Sequence, residues 1–171
     1  MDYKIPFRGL KEGKHEFEFS FEKAFFEQFP GTDVTDGRVA ATIELIKRST
    51  GMECFFEVSG KVKVPCDRCL DEYLQDIEYS GKLFFEFGEE TEEISDELIM
   101  LSGAEDYIDV AEYVFEFINL SLPFQKLHTD DHEGNSLCNQ QMIDKLNELK
   151  GNNNSNEIDD PRWDKLRDLI N

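Results

Sequence analysis

Five of the seven cysteines and histidines in this chain are grouped at two places, and these are the residue types best suited to zinc chemistry. Cys66 and Cys69 lie close together, and His128, His132 and Cys138 lie in one polar stretch far downstream. Two thiolates with two residues between them can reach the same ion, because a tight turn places their sulfurs at the separation that tetrahedral zinc requires. If the downstream stretch folds back, Cys66, Cys69, His128 and Cys138 complete a four-ligand set, with His132 as a substitute ligand. A closed site of this kind is structural rather than catalytic.

Two other interpretations of these residues stay open. The spacing differs from that of common zinc fingers, since 58 residues separate Cys69 from His128 and nine separate His128 from Cys138. Reduced cysteines in a turn, with the histidines exposed in a loop, also fit the pattern. A thiol–disulfide redox pair is the third interpretation, but nothing around Cys66 and Cys69 predicts the βαβ unit in which such pairs are found.

Alternating apolar residues predict the strands that must position the first cysteine pair. Strands are predicted around 17–21, 39–45, 52–64 and 73–87, and a short helix over 22–29. Pro65 ends the third strand and the fourth returns antiparallel, so the cysteine pair should lie at a hairpin tip. Gly60 predicts a bulge that bends the third strand and helps to close a curved sheet. Cys54 shares the apolar face of that strand and is predicted to belong to the core.

The second half of the chain predicts the elements that bring the downstream ligands back. Residues 89–97 are predicted to form an acidic loop, and Asp109 to begin a helix that covers one face of the sheet. A second short helix is predicted around 142–149. The expected fold is therefore α+β, a curved, barrel-like antiparallel sheet with one main packing helix, over a single domain of residues 1–150.

Residues 151–171 predict a linker and a short terminal helix, which together form a partly flexible tail. The run from Gly151 to Asn156 is typical of a flexible linker, and Asp160 followed by Pro161 is typical of a helix start. The apolar residues of that helix share one side, which docks either on its own domain or on a partner. They are Trp163, Leu166 and Ile170.

Charge is distributed unevenly along a chain whose formal net charge is -20. Residues 83–125 contain twelve acidic residues and no lysine or arginine, so this region cannot lie on a phosphate backbone. Residues 38–68 carry six basic and four acidic residues, a local net charge of +2. Contact with RNA is therefore expected, if anywhere, in this basic region. The candidate residues for RNA contact are Arg38, Lys47, Lys61, Lys63 and Arg68.

The sequence also restricts the compartment and the kinds of chemistry. No secretory signal and no run of apolar residues long enough to span a bilayer is visible, so we expect a cytoplasmic protein with reduced thiols and no membrane partner. No nucleophile-elbow, phosphate-loop or metalloprotease motif occurs. No small-molecule substrate and no catalytic residue is identified.

Three ordered motifs resemble those of one protein family. They are Pro65-Cys66-Asp67-Arg68-Cys69-Leu70, Leu122-Pro123 followed by His128 and Cys138, and Asp160-Pro161-Arg162-Trp163. The set resembles the YceD family, the large ribosomal RNA subunit accumulation proteins. The resemblance implies a bacterial, cytoplasmic, non-catalytic accessory factor whose partner is a ribosomal protein or a precursor of the large-subunit rRNA. Relatives often carry further cysteines after the Leu-Pro segment, where this chain has His128, His132 and one cysteine.

Alternative functions remain beside the one that the resemblance implies. One is a thiol–disulfide redox protein that uses Cys66 and Cys69, and it predicts a lowered thiol pKa with measurable disulfide exchange. Another is a zinc-stabilised interaction module unrelated to ribosomes, whose terminal helix inserts into a partner's groove. Because the chain is strongly acidic, a basic ribosomal protein is the more natural partner than a broad RNA surface.

Overall fold

The alternation of apolar and polar residues in the first half of the chain produces a sheet with one buried face. The computed structural model describes residues 3–129 and 136–150. Its elements, in chain order, are β1 (Lys4–Ile5), β2 (Gly13–Phe21), α1 (Lys23–Phe26), β3 (Asp36–Arg48), β4 (Gly51–Pro65), β5 (Glu72–Gly88), β6 (Glu92–Ser95), β7 (Leu98–Ser102), β8 (Ile108–Asp109), α2 (Ala111–Leu120) and α3 (Gln140–Leu149).

Six strands form the main sheet, in the order β2-β3-β4-β5-β7-β6. The neighbours β2 to β5 pair antiparallel as a meander, and β7 pairs parallel to β5. Strands β1 and β8 form a separate two-stranded pair. The α+β class is thus confirmed. The sheet of the described residues is open, with β2 and β6 at its edges, so the predicted barrel-like closure is not confirmed.

The core lies between the buried face of the meander and helix α2. Alternate residues of β4 are buried, as the period-2 pattern predicts. Cys54, Phe56 and Val58 are each at most 1% exposed. From α2, Phe117 places its ring 5.1 Å from that of Phe56 and 4.9 Å from that of Tyr79. Helix α2 is therefore the main packing helix that the sequence predicts.

Gly60 does not form the predicted bulge. The register runs without a shift from Val39 through Gly60 to Ile77. A side chain at Gly60 would place its Cβ 2.7 Å from the Cα of Val39 and closer still to the carbonyl oxygen of Arg38. Glycine is needed here because two backbones approach closely, a role that a sequence pattern does not separate from a bulge.

The predicted acidic loop over 89–97 is also wrong, because β6 (Glu92–Ser95) occupies its middle. All four residues of β6 are exposed, so the strand lacks the alternation that reveals a half-buried one. The predicted helix over 22–29 is shorter in the structure, Lys23–Phe26. The predicted linker and terminal helix of 151–171 lie outside the described residues, and the domain boundary at 150 stays a prediction. Within the described ranges, no helix is long and apolar enough to cross a membrane.

Candidate metal centre

The hairpin tip between β4 and β5 holds the first cysteine pair, as the sequence predicts. The N–H of Cys66 donates to the carbonyl oxygen of Asp71 at 2.9 Å, and the N–H of Leu70 donates to that of Cys66 at 2.9 Å. Leu70 adopts a left-handed conformation with φ of 66°, which closes the turn. The tight turn leaves both Cys66 and Cys69 buried, with at most 1% of each residue exposed.

A backbone contact brings the downstream segment to the hairpin tip. The N–H of Asp67 donates to the carbonyl oxygen of Lys126 at 2.7 Å, and the carboxylate of Asp67 accepts from the N–H of Lys126, also at 2.7 Å. The ammonium of Lys126 reaches Asp33 at 2.6 Å and Asp67 at 3.6 Å. This pairing holds the segment beside the turn, and His128 follows two residues later.

Cys138 reaches the same place from the start of helix α3. The side chain of Asn139 caps this helix by accepting from the N–H groups of Gln141 and Met142, a usual role for asparagine. Its amide also donates to the carboxylate of Asp71 at 3.1 Å, which joins the helix to the hairpin. Cys138 is 7% exposed.

The four side chains meet at the spacing of a tetrahedral zinc site. Their ligand atoms all lie within 4.8 Å of one another. The Sγ atoms of Cys66 and Cys138 are 3.8 Å apart, and His128 Nδ1 lies 3.5 Å from Cys69 Sγ and 3.8 Å from Cys138 Sγ. Usual zinc bond lengths place two sulfurs of a tetrahedron about 3.8 Å apart, and a sulfur and a nitrogen about 3.6 Å apart. The residues present therefore fit this ion.

The electrostatics of the cluster favour a thiolate at Cys66. Burial opposes its ionisation, but backbone N–H groups of Cys69, Arg68 and His128 point at the sulfur and lower the pKa of Cys66 to about 6. The pKa of Cys138 is raised, since burial and hydrogen bonds to the other two thiols outweigh the effect of the Ser136 hydroxyl. A thiolate is the form of cysteine that binds a metal ion, so Cys66 is prepared for this role before the ion arrives.

The three cysteines form a hydrophobic cluster of their own, separate from the main core. Half-buried apolar residues pack against this second core, and they are Tyr73, Leu127, Met142 and Ile143. The ring of Tyr73 lies 4.8 Å from that of His128. Cys54, by contrast, belongs to the main core, where burial raises its pKa to about 12. The prediction that Cys54 is a core residue is confirmed.

The structure thus brings together all four residues named as ligands, while His132 lies outside the described residues. Sequence reasoning missed the residues that orient the ligands. Asp71 and Asn139 stand 68 residues apart, and no spacing rule connects an aspartate in a turn to a helix cap so far away. The capping signal of Asn139 before an amphipathic helix was the one usable sign.

The residues predicted to contact RNA do not form one free basic patch. Lys61 pairs with Asp76 at 2.8 Å and Lys63 with Glu72 at 2.6 Å. Two others also have partners: Arg38 lies 3.6 Å from Glu22, and the Lys47 ammonium donates to the carbonyl oxygens of Phe7 and Leu10. Arg68 is exposed at the hairpin tip. RNA contact stays a prediction, as does partner binding by Trp163, Leu166 and Ile170, which lie outside the described residues.

The sheet is open and mostly antiparallel, and a Cys-Cys-His-Cys cluster lies at one hairpin tip. These two features place the chain among small α+β proteins with a candidate structural metal site. The chain belongs to the YceD family, since the family description "Large ribosomal RNA subunit accumulation protein YceD" matches residues 55–170. The family name assigns a role in accumulation of the large-subunit rRNA. Comparisons with curated proteins and with solved structures gave no match.

Proposed function

We propose that this protein is a non-catalytic accessory factor for accumulation of the large-subunit rRNA and for ribosome biogenesis in the bacterial cytoplasm. The observation that carries the proposal is the family match over residues 55–170, which includes the hairpin tip, α2 and all four cluster residues. The factor acts through contact with a ribosomal protein, with a precursor of the large-subunit rRNA, or with both. The family is named for the accumulation of an RNA, and its name specifies no reaction.

Zinc is the cofactor that we propose for the Cys66, Cys69, His128 and Cys138 cluster. The distances among the sulfurs and the imidazole nitrogen support this assignment, as does the burial of all three thiols. When bound, zinc supplies a four-bond cross-link with no open coordination position. The protein's own contribution is to orient the donors: the turn aims two thiols, the Asp67–Lys126 pairing delivers the histidine, and Asn139 fixes Cys138.

The charge of the molecule favours a basic protein over a broad RNA surface as the direct partner. A net charge of -20 repels phosphates at long range, and four of the five residues predicted to touch RNA already have partners. Any RNA contact is therefore local, and Arg68 is its best candidate. Contact with a basic protein through the acidic residues of 83–125 agrees with the same charge.

A thiol–disulfide redox function is the second candidate, and one observation favours it. Cys66 has a lowered pKa, and its sulfur lies 3.8 Å from that of Cys138. Such a function needs an exposed thiol, however, because a partner's disulfide must be attacked in line. Cys66 is fully buried, which favours the metal site. A zinc-stabilised interaction module without a ribosomal role is the remaining alternative.

Complementation tests the proposed function directly. In a strain that lacks the gene, we expect the ratio of large- to small-subunit rRNA to fall and to recover when the wild-type chain is supplied. The Cys66→Ser variant should restore less than the Cys54→Ala variant, which changes a thiol outside the cluster. Full rRNA levels without the gene would refute the ribosomal role. Disulfide exchange by the purified, zinc-free protein would favour the redox alternative.

A further inference from the structure

Strand β5 has a neighbouring strand on both sides only near its C-terminal end. Its register with β4 runs from Glu72 to Glu86 without a break, whereas β7 pairs with it only from Phe84 to Gly88. Among the described residues, the segment 72–83 therefore has β4 on one side and an open edge on the other. An open edge is a template for pairing with another strand.

The direction of one hydrogen bond shows which backbone groups this edge presents. The N–H of Phe84 donates to the carbonyl oxygen of Glu97 at 2.7 Å, on the side away from β4. In a regular strand the N–H and C=O of one residue point to the same side, and the side alternates along the chain. Because the register with β4 is unbroken, the N–H and C=O groups of Glu78, Ser80 and Lys82 also point away from β4 and are not used in that ladder.

A groove of about 930 Å³ lies along this edge at residues 79–82. The C-terminal end of α2 forms one wall, and the turn between β6 and β7 forms the other. Two apolar side chains of the groove are unusually exposed, Phe55 at 38% and Leu120 at 67%. Among residues 3–129 and 136–150, these outward-pointing backbone groups have no strand partner on the groove side. The groove thus combines unpaired backbone groups with apolar surface, which is the combination that strand addition uses.

The groove is strongly negative. Its charged lining, as far as the described residues form it, consists of one base and four acids, which are Lys82, Glu93, Asp96, Glu97 and Glu116. The single base is itself paired, since Lys82 lies 3.5 Å from Glu97. Burial, together with the carboxylates of Glu93 and Glu112, raises the pKa of Glu116, as expected where negative charge is not balanced. The C-terminal end of α2 lines the groove as well. The C-terminus of a helix carries partial negative charge and therefore favours cations.

We infer that this groove binds an extended, basic polypeptide segment as an added strand on the β5 edge beside β7. Its backbone pairs with Ser80 and Lys82, its lysine or arginine side chains lie near the carboxylates, and its apolar side chains contact Phe55 and Leu120. The inference deepens the proposed function, on which it rests for the view that the partner is a basic protein.

Charge argues against the other occupants of the groove. Residues 151–171 carry five acidic and three basic residues, a net charge of -2, and a second copy of the chain carries -20. Both have the same sign as the groove, as do the phosphates of RNA. A segment of opposite charge is therefore the occupant that the groove favours.

Binding of a labelled peptide by the full chain tests the inference. The probe is a fluorescent peptide of about nine residues in which lysine alternates with valine and phenylalanine, measured by anisotropy at low and high salt. We expect saturable binding that Ser80→Pro weakens roughly tenfold or more relative to Ser80→Ala, since proline removes an outward N–H. Proline leaves the β4 ladder intact, because that N–H is not part of it. A peptide methylated on alternate backbone nitrogens should bind correspondingly less.

A second pair of variants separates charge from backbone pairing and does not depend on a proline. The triple change Glu93→Gln, Asp96→Asn and Glu97→Gln should weaken binding roughly tenfold and reduce its salt dependence. The matched control, Glu12→Gln, Glu16→Gln and Glu18→Gln, removes the same charge at and near strand β2 on the far edge of the sheet, and should change affinity less than about twofold.

Several outcomes overturn the inference. They are absence of saturable binding to the wild-type chain, equal affinities of the Ser80→Pro and Ser80→Ala variants, or equal effects of the two triple changes. A dimer that Ser80→Pro converts to monomers would assign the edge to a second copy, and binding seen only after removal of residues 151–171 would assign it to the tail. The assay uses purified protein without RNA, so its failure leaves the zinc and rRNA tests of the proposed function standing.

Discussion

Cys54 and Cys66 are both fully buried, yet their thiols have opposite acid–base character. Burial in the main core raises the pKa of Cys54 to about 12. At the hairpin tip, backbone N–H groups outweigh burial and lower the pKa of Cys66 to about 6. Cys66 has hydrogen-bond donors around its sulfur, whereas burial alone acts on Cys54. Cys54 is therefore a natural control for every experiment on the cluster.

The first prediction concerns metal content. Protein purified without chelator or nickel should contain about one zinc per chain, and Cys66→Ser should lose it, because a closed site with three ligands left binds far more weakly. The Cys54→Ala variant should keep it. Elemental analysis checks both variants. Wild-type protein free of metal would contradict the zinc assignment and would leave the cysteines as a feature of the turn.

The second prediction distinguishes the two downstream histidines. His128→Ala should weaken zinc binding by at least about a hundredfold, because it removes a direct ligand and even outer residues of metal sites matter by ten- to a hundredfold. His132→Ala should leave the affinity within about threefold. Competition with a chromogenic chelator measures both. A larger effect of His132→Ala would exchange the roles of the two residues.

The third prediction concerns what metal removal does to the fold. The second core contains three cysteines and few apolar residues, whereas the main core is large. Removal of zinc should therefore open α3 and residues 124–129 and leave strands β3 to β5 folded. Hydrogen exchange resolved by peptide should show faster exchange only in those segments. Global unfolding on removal of zinc would contradict this prediction, because it would mean that the two cores unfold as one cooperative unit.

The fourth prediction concerns alkaline pH. A thiol whose pKa is raised in the folded state contributes stability that is complete below the unfolded pKa of about 8.5 and is lost as the pH rises towards the folded value. For Cys54 that window extends from about 8.5 to about 12.

Chemical denaturation of the zinc-bound protein between about pH 9 and pH 11 measures this effect. The free energy of unfolding of the wild type should fall up to about 1.4 kcal/mol per pH unit more steeply than that of Cys54→Ala. Burial also raises the pKa of Tyr113 to about 12. Because Tyr113 is present in both proteins, its contribution to the difference between the two slopes cancels. Parallel slopes would show that Cys54 does not titrate in this way.

The fifth prediction concerns Gly60. Gly60→Ala should lower the free energy of unfolding by about 1 to 3 kcal/mol, because the new methyl group would press against the backbone of β3. Gly9→Ala is the matched control: nothing lies within 4 Å of its added carbon, so a change within about 0.5 kcal/mol is expected. Equal stabilities of the two variants would disprove the close approach.

The sequence predicted those elements whose pattern carries two distinct faces. Strands β3 to β5 are predicted by the alternation of apolar and polar residues, because one face of each strand is buried and the other is exposed to solvent. Strand β6 was not predicted because its residues are all exposed and show no alternation. Strand β7 was not predicted because it is short and pairs parallel to β5, an arrangement that no local pattern encodes. Parallel pairing depends on contacts made elsewhere in the sheet.

For the candidate site, residue types were sufficient to name the four residues that the structure brings together and insufficient to place them. Thiols and imidazoles indicate a candidate zinc site by their chemistry, but Cys69 and His128 lie 59 positions apart in the chain. Their meeting depends on the pairing of Asp67 with Lys126, two charged residues that look like ordinary surface in the sequence. Long-range closure of this kind needs the tertiary structure.

The pairing of β1 with β8 sets the order in which strands can pair while the chain is being synthesised. Ile5 pairs with Ile108, and the N–H of Val110 donates to the carbonyl oxygen of Tyr3 at 2.9 Å. A ribosome adds about 5 to 20 residues per second, so the first strand waits roughly 5 to 20 s for its partner to be made. The hairpins of β2 to β5 can form during that interval, because β3, β4 and β5 each pair with the strand before them. Strand β1 is thus translated before β2 to β5 and is among the last of the described elements to be fixed in place.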